Sequence, residues 1–325
     1  MAPAQDETAL QWVIHIGVAK TGSKALQTFL SSELFRLQGV RGFYPANGRA
    51  GIWHEPLYDD LLAGSTSALD AAVTEAESQA AQLAFLSYEG LCDLPTPSIR
   101  DLRQKVGSAK IVLFLRRQDQ MVNSFYNQLI KAHRSTIEDI EQFEQQLGSY
   151  QRSFDYRFIL EKWSSVFGRA NMRPVIYDKT RSSVVRFFEA LGLPITYDDH
   201  CPIIANAALD AQGLSILRHI KTHVTDAKVL PIVVEAAHKA LSHRFIDTYS
   251  AGEFYVIDAP TRRAIMHAYA PSNEWVRTNY FETLPSLFPP VEEGEYVVVD
   301  FSSGRDIALE LVRGCDLTGG LTPDD

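Results

Sequence analysis

The stretch that most constrains the fold is 12–30, WVIHIGVAKTGSKALQTFL. Residues 12–17 form a short apolar run ending on glycine, the pattern of a buried strand. Ala25, Leu26, Phe29 and Leu30 then recur at helical spacing, so a helix is expected from about Ser23. Strand, glycine turn and helix in that order aim backbone N–H groups and the positive end of a helix dipole at one point, which suits an anion.

The chain repeats this alternation. Apolar runs at 84–87, 110–115 (KIVLFL) and 172–177 predict three more strands, with helical patterns near 53–63, 69–82, 119–132, 155–167 and 182–191. Gly168, and Gly192 with Pro194, stand where the last two helices should stop. The expectation is an α/β fold of three layers about a central, mainly parallel sheet. Beyond Cys201 the pattern is mostly helical, with one further strand at 296–299. No repeat or composition break forces a boundary, so a single domain is expected over 1–325, with its core at about 10–200 and a helical part at about 201–325.

Composition narrows the function. A net charge of −9 over 325 residues argues against bulk attraction to nucleic acid or a polyanionic polymer, so any anion site must be local. Cys92, Cys201 and Cys315 are odd in number and far apart, which supports neither a disulfide framework nor a zinc site. They read as reduced thiols of a cytoplasmic protein. The start MAPAQDETALQ lacks the parts of a signal peptide, and no run approaches the roughly 20 apolar residues of a membrane helix. No metal and no membrane partner is expected; the oligomeric state is not written in the sequence.

Two strand ends carry chemistry. The first is Lys20-Thr21-Gly22-Ser23-Lys24-Ala25. A P-loop, G-x-x-x-x-G-K-[ST], would need Lys at 23 and a magnesium-binding hydroxyl at 24. Ser23 and Lys24 stand there instead, and no metal ligand is supplied. The second is RRQDQMVNSFYNQLIKA, 116–132, in which Arg116 leaves a buried strand and Ser124 follows eight residues later on a helix. A guanidinium with a hydroxyl can clamp one phosphate, the arginine giving a rigid donor fork. Two anion pockets at carboxyl ends of strands in one sheet lie where open α/β sheets bind ligands.

At this point the chain resembles the sulfotransferases that use 3′-phosphoadenosine 5′-phosphosulfate (PAPS). KTGSKALQTFL is similar to the K-T-G-[ST]-[ST]-x-L-Q loop of bacterial members. Arg116 with Ser124, followed by Phe125 and Tyr126, resembles their 3′-phosphate motif. The resemblance implies a P-loop-NTPase-like sulfotransferase fold and a transferase that releases 3′,5′-diphosphoadenosine (PAP). It assigns Lys20 to the bridging and leaving phosphate oxygens, and Thr21, Gly22, Ser23, Lys24 and Ala25 to the 5′-phosphate loop. Arg116 and Ser124 fall to the 3′-phosphate. Lys24 departs from the family, which has a second hydroxyl there. The family's R-K-G segment is missing as well, with Arg262, Arg263 and Arg277 as candidate substitutes. The acceptor is expected to be a small hydroxylated molecule or a glycan.

An acceptor hydroxyl also needs a base, which in this superfamily is a histidine or glutamate. His54 ranks first because an imidazole titrates near neutral pH; Glu89 ranks second and Glu55 third. Two other classes stay open: a P-loop kinase or nucleotide triphosphatase, and a nucleotide-binding relative without turnover. The pair Ser272-Asn273 reads as a helix cap before any ligand contact.

Overall fold

In the computed structural model the first apolar run is a strand, β1 (Gln11–His15), and it sits at the centre of a five-stranded sheet. The other strands are β2 (Gly42–Phe43), β3 (Leu83–Ser87), β4 (Ala109–Leu115) and β5 (Met172–Ile176), in the order β2-β3-β1-β4-β5. Every pairing is parallel, with Trp12 opposite both Ala84 and Ala109. The structure describes residues 10–32, 35, 37, 40–146, 151–195, 208–242, 245–246, 254–291, 297–302 and 304–314.

The chain divides into two compact units. The first comprises Met1–Arg116, Gln151–Ala205 and Ala270–Phe288, and holds the whole parallel sheet. Its strands are mainly apolar because helices cover both faces, with polar residues such as His15 and Ser87 at their ends. On one face Val13, Phe85, Val112 and Phe114 pack with Leu26 and Phe29 of the helix Ser23–Ser31 and with Phe187 and Phe188 of the helix Ser183–Leu191. On the other, the helix Tyr156–Phe167 packs on β4 and β5. Asp155 caps that helix by accepting from the Phe158 N–H, and Gly168 ends it at φ 84°.

The second unit, Arg117–Tyr150, Asn206–Tyr269 and Pro289–Asp325, is mainly helical. The helix Gln118–Lys131 opens it, and the helix Ala211–His223 packs on both that helix and Arg305–Gly314. The strand expected at 296–299 is Val297–Val298, paired in parallel with Phe254–Tyr255; Tyr296 lies outside the described residues, as does Cys201.

Boundaries differ locally for physical reasons. The helix expected at 69–82 spans Ser67–Ser78, because Ala80 turns left-handed at φ 48° and the chain enters β3. The one expected at 53–63 spans Glu55–Leu62, since Trp53 is bridged to Ala50 and Pro56 sits in its first turn. The short edge strand β2 and the helices Thr96–Val106 and Ile137–Gln145 were not legible in the apolar pattern. Among the described residues no helix is long and apolar enough to cross a membrane.

Candidate active site

The loop after β1 is shaped by two glycines and a lysine in unusual conformations. Gly17 has φ 104°, and a Cβ there would lie 2.8 Å from the carbonyl oxygen of Glu89. Gly22, the N-cap of the helix Ser23–Ser31, has φ 85°, and a Cβ would lie 2.6 Å from Ser183 Oγ. Both positions therefore need glycine. Lys20 is left-handed at φ 67° without being glycine, a local strain of the kind that collects at functional sites.

Inside the loop the hydroxyl of buried Thr21 donates to the Val18 carbonyl at 2.6 Å, so it builds the turn. Ser183 Oγ donates to the Gly22 carbonyl at 3.0 Å. The Ala25 N–H returns to that same carbonyl at 3.0 Å, which spends it within the turn. Ser23 differs: its Oγ is buried and has no hydrogen-bond partner. The helix carries no side-chain cap and no acidic residue in its first turn, so its positive end is uncompensated. Lys24 is exposed beside it.

Arg116 joins this loop from the end of β4. The Tyr156 hydroxyl fixes its backbone from both sides, accepting from the Arg116 N–H at 2.9 Å and donating to its carbonyl. Arg116 Nη1 donates to the Lys20 carbonyl at 2.6 Å, and the guanidinium carbon lies 5.1 Å from the Tyr177 ring centroid. Arg116 Nε is buried without a partner. The two motifs read from sequence thus meet in one hydrogen bond. Ser124 belongs to the second unit, half-buried on the helix Gln118–Lys131.

The candidate bases lie at the end of β3. Ser87 Oγ is a hub, 2.8 Å from His15 Nδ1 and 3.2 Å from the Gln27 Nε2 that donates to it. The same Nε2 donates to Glu89 Oε2 at 3.1 Å, so Gln27 orients the carboxylate from within the helix Ser23–Ser31. Glu89 is half-buried. Glu55 is engaged elsewhere, accepting from the Tyr88 hydroxyl at 3.1 Å.

His54 is fully buried, and its Nδ1 accepts from the Ser87 N–H at 3.3 Å. A backbone N–H can only donate, so the neutral ring carries its proton on Nε2, which is buried with no partner. Burial, and next the charge of Arg49, push its pKa down to about 3, while the nearby Ser87 and Pro45 backbones partly offset them. The ring has no free lone pair for an acceptor proton. The sequence ranked it first as a base; in this conformation it is a hydrogen-bond donor. His15 is buried as well, and burial alone takes its pKa to about 3.

Three other sequence candidates, Ser272, Arg277 and Arg262, have partners within the protein. Ser272 Oγ accepts from the Arg157 N–H at 3.0 Å and donates to Asp155 at 2.6 Å, tying down the start of the helix Tyr156–Phe167. Arg277 pairs with Glu274 at 2.7 Å, and Arg262 with Asp119 at 2.9 Å. Sequence reasoning missed His15, Tyr44, Arg49, Ser87 and Tyr156. Gln27 had a usable signal: it lies four residues after Ser23, on the same helix face. Among the described residues no group of three or more His, Cys, Asp or Glu could hold a metal ion.

The chain is similar to known proteins. A protein of Archaeoglobus fulgidus described as uncharacterized is 31% identical over 225 residues, which cover 65% of this chain and 57% of that protein. The crystal structure of a sulfotransferase from Alicyclobacillus acidocaldarius aligns over 82% of this chain and 94% of its own, at 14% identity and a TM-score of 0.40. The family model described as a sulfotransferase domain matches residues 12–192, more than half of the sequence, and the chain belongs to that family.

Proposed function

We propose that this protein transfers the sulfonate group of PAPS to a hydroxyl or amine of a small-molecule or glycan acceptor and releases PAP. The observation that carries the reading is the loop after β1. An uncapped helix start, a buried Ser23 hydroxyl without a partner, and Lys20 held left-handed against Arg116 form one donor array for a phosphosulfate. Ser23 and the first N–H groups of the helix would hold the 5′-phosphate, and Lys20 the bridging oxygen. Arg116 would hold the 3′-phosphate. Thr21 and Ala25 serve by building the turn, and Gly22 by allowing it.

We assign the base to Glu89. Its carboxylate is oriented by Gln27, and its backbone abuts Gly17 of the donor loop. The acceptor O–H proton passes to the Glu89 carboxylate as the acceptor oxygen forms its bond to sulfur. The bond between sulfur and the phosphate oxygen breaks, and PAP leaves with the electron pair while Lys20 stabilises the charge gathering there.

The test is turnover of PAPS against pooled hydroxylated metabolites, read by mass spectrometry as a gain of one SO3. Glu89→Gln should lower kcat by about 10²–10⁴-fold, the scale for losing a general base, with PAP affinity unchanged. If His54→Ala abolishes turnover and Glu89→Gln keeps it, the base is His54. PAP should raise the melting temperature without magnesium; protection by Mg-ATP instead would point to a triphosphatase. PAP binding with no turnover on any acceptor would indicate an inactive relative.

A further inference from the structure

Near the candidate base stands a cation that the donor site does not use. Arg49 lies on a turn held from several sides. The Glu75 carboxylate accepts from the N–H groups of Ala46 at 3.2 Å and Asn47 at 2.8 Å. The Arg49 N–H donates to the Ala46 carbonyl at 3.2 Å, and the Ala50 N–H to the Trp53 carbonyl at 2.9 Å. Gly48 at φ 77° and Gly51 at φ 65° flank this turn. The position of Arg49 is therefore set by the backbone.

Its guanidinium carbon sits 4.7 Å from the centroid of the Tyr44 ring, and the Tyr44 ring meets the His54 ring edge-on at 4.8 Å. Arg49 Nε and Nη1 are both buried, and among the described residues neither has a hydrogen-bond partner. His54 Nε2, the protonated nitrogen of the adjoining ring, is buried without a partner too. Burying donors of a cation unpaired is costly, and two such groups around one tyrosine mark a place built for an anion with at least two oxygens. Tyr44 also feels the Glu89 carboxylate and lies by Ser87, so this place adjoins the candidate base.

We propose that the acceptor carries a carboxylate in addition to its reacting hydroxyl, and that Arg49, stacked on Tyr44, reads that carboxylate with His54 Nε2 as a second donor. The proposal rests on the sulfotransferase reading above. Arg49 is then a specificity residue. Stacking on an aromatic ring leaves the edge of the guanidinium free for a planar anion, which an ammonium could not match.

The experiment titrates PAP-saturated protein by calorimetry with matched pairs of probes, 4-hydroxyphenylacetate against 4-hydroxyphenylacetamide and 4-hydroxybenzoate against 4-hydroxybenzamide. At least one acid should bind about 10-fold or more tightly than its amide. Arg49→Gln should erase that preference and Arg49→Lys should restore part of it, with PAP affinity within twofold of the wild type in both. Acids and amides behaving alike, whether all bind or none does, overturns the proposal. So does a preference that survives in Arg49→Gln, and so does a loss of PAP affinity in that variant, which would move Arg49 to the donor site. Failure of the wild type to bind PAP is a separate result, and it would remove the sulfotransferase reading itself.

Discussion

The buried polar groups of the two units are treated differently. In the second unit most of them close on one another, with Arg218 Nε left over. Asp119, fully buried, takes Arg117 at 2.8 Å and Arg262 at 2.9 Å, and Arg262 lies over the Tyr255 ring. Lys221 Nζ donates to the carbonyls of Leu129, Ala132 and Ser135, which closes the C-terminal end of the helix Gln118–Lys131. Tyr126 and Arg218 share Glu144. At the sheet end of the first unit, Ser23 Oγ, His15 Nε2, His54 Nε2, Gln27 Oε1, Arg49 Nε and Arg116 Nε are buried without partners. Native proteins leave few such atoms, and six at one end of the sheet, against scattered ones such as Trp163 Nε1 and Arg218 Nε elsewhere, are what the binding-site proposal builds on.

The largest effect that could break this contrast is acid destabilisation. His15 and His54 have folded pKa values near 3 against 6.5 unfolded. Between those values the unfolded chain binds more protons, so stability is full above pH 6.5 and falls as pH drops toward 3. By pH 4.5 each ring should cost about 2–3 kcal/mol. His238 in the second unit, pushed to about 4, acts with the same sign. His54→Asn should therefore flatten only part of the slope in urea titrations run from pH 7 to 4.5; an unchanged slope would show that His54 is not held neutral.

Asp119→Asn comes next. It strands two arginines in the closed network and should destabilise the fold by about 3–5 kcal/mol in chemical unfolding. A small loss would mean that the network is as open as the sheet end. Arg116→Ala should weaken PAP binding by about 2–4 kcal/mol, measured by calorimetry, while a nucleotide lacking the 3′-phosphate loses much less. Equal losses would assign Arg116 to holding the Lys20 loop.

The smallest effect is the sharpest. Ser23→Ala removes a hydroxyl that bonds to nothing within the protein, so the free protein should be as stable as the wild type or slightly more so. PAP affinity should fall by about 0.5–1.5 kcal/mol, the worth of one hydrogen bond. A destabilised free protein would show that Ser23 has a structural partner after all.

Local sequence determined a good deal here. The four longer strands, their parallel arrangement and the helices after β1, β4 and β5 followed from the apolar runs and their period, because burial on both faces makes the middle of a sheet strand apolar. The donor loop was legible for the same reason: its glycines, its lysine and its helix start are neighbours in the chain. Tertiary structure alone decided the long-range contacts around that loop. Ser87 meets His15 and Gln27 across 72 and 60 residues, and Arg116 meets Lys20 across 96. No spacing in the sequence encodes such contacts. Glu89 is proposed over His54 as the base because a pKa and a free lone pair depend on burial and on which backbone N–H lies opposite, and the fold puts that of Ser87 there.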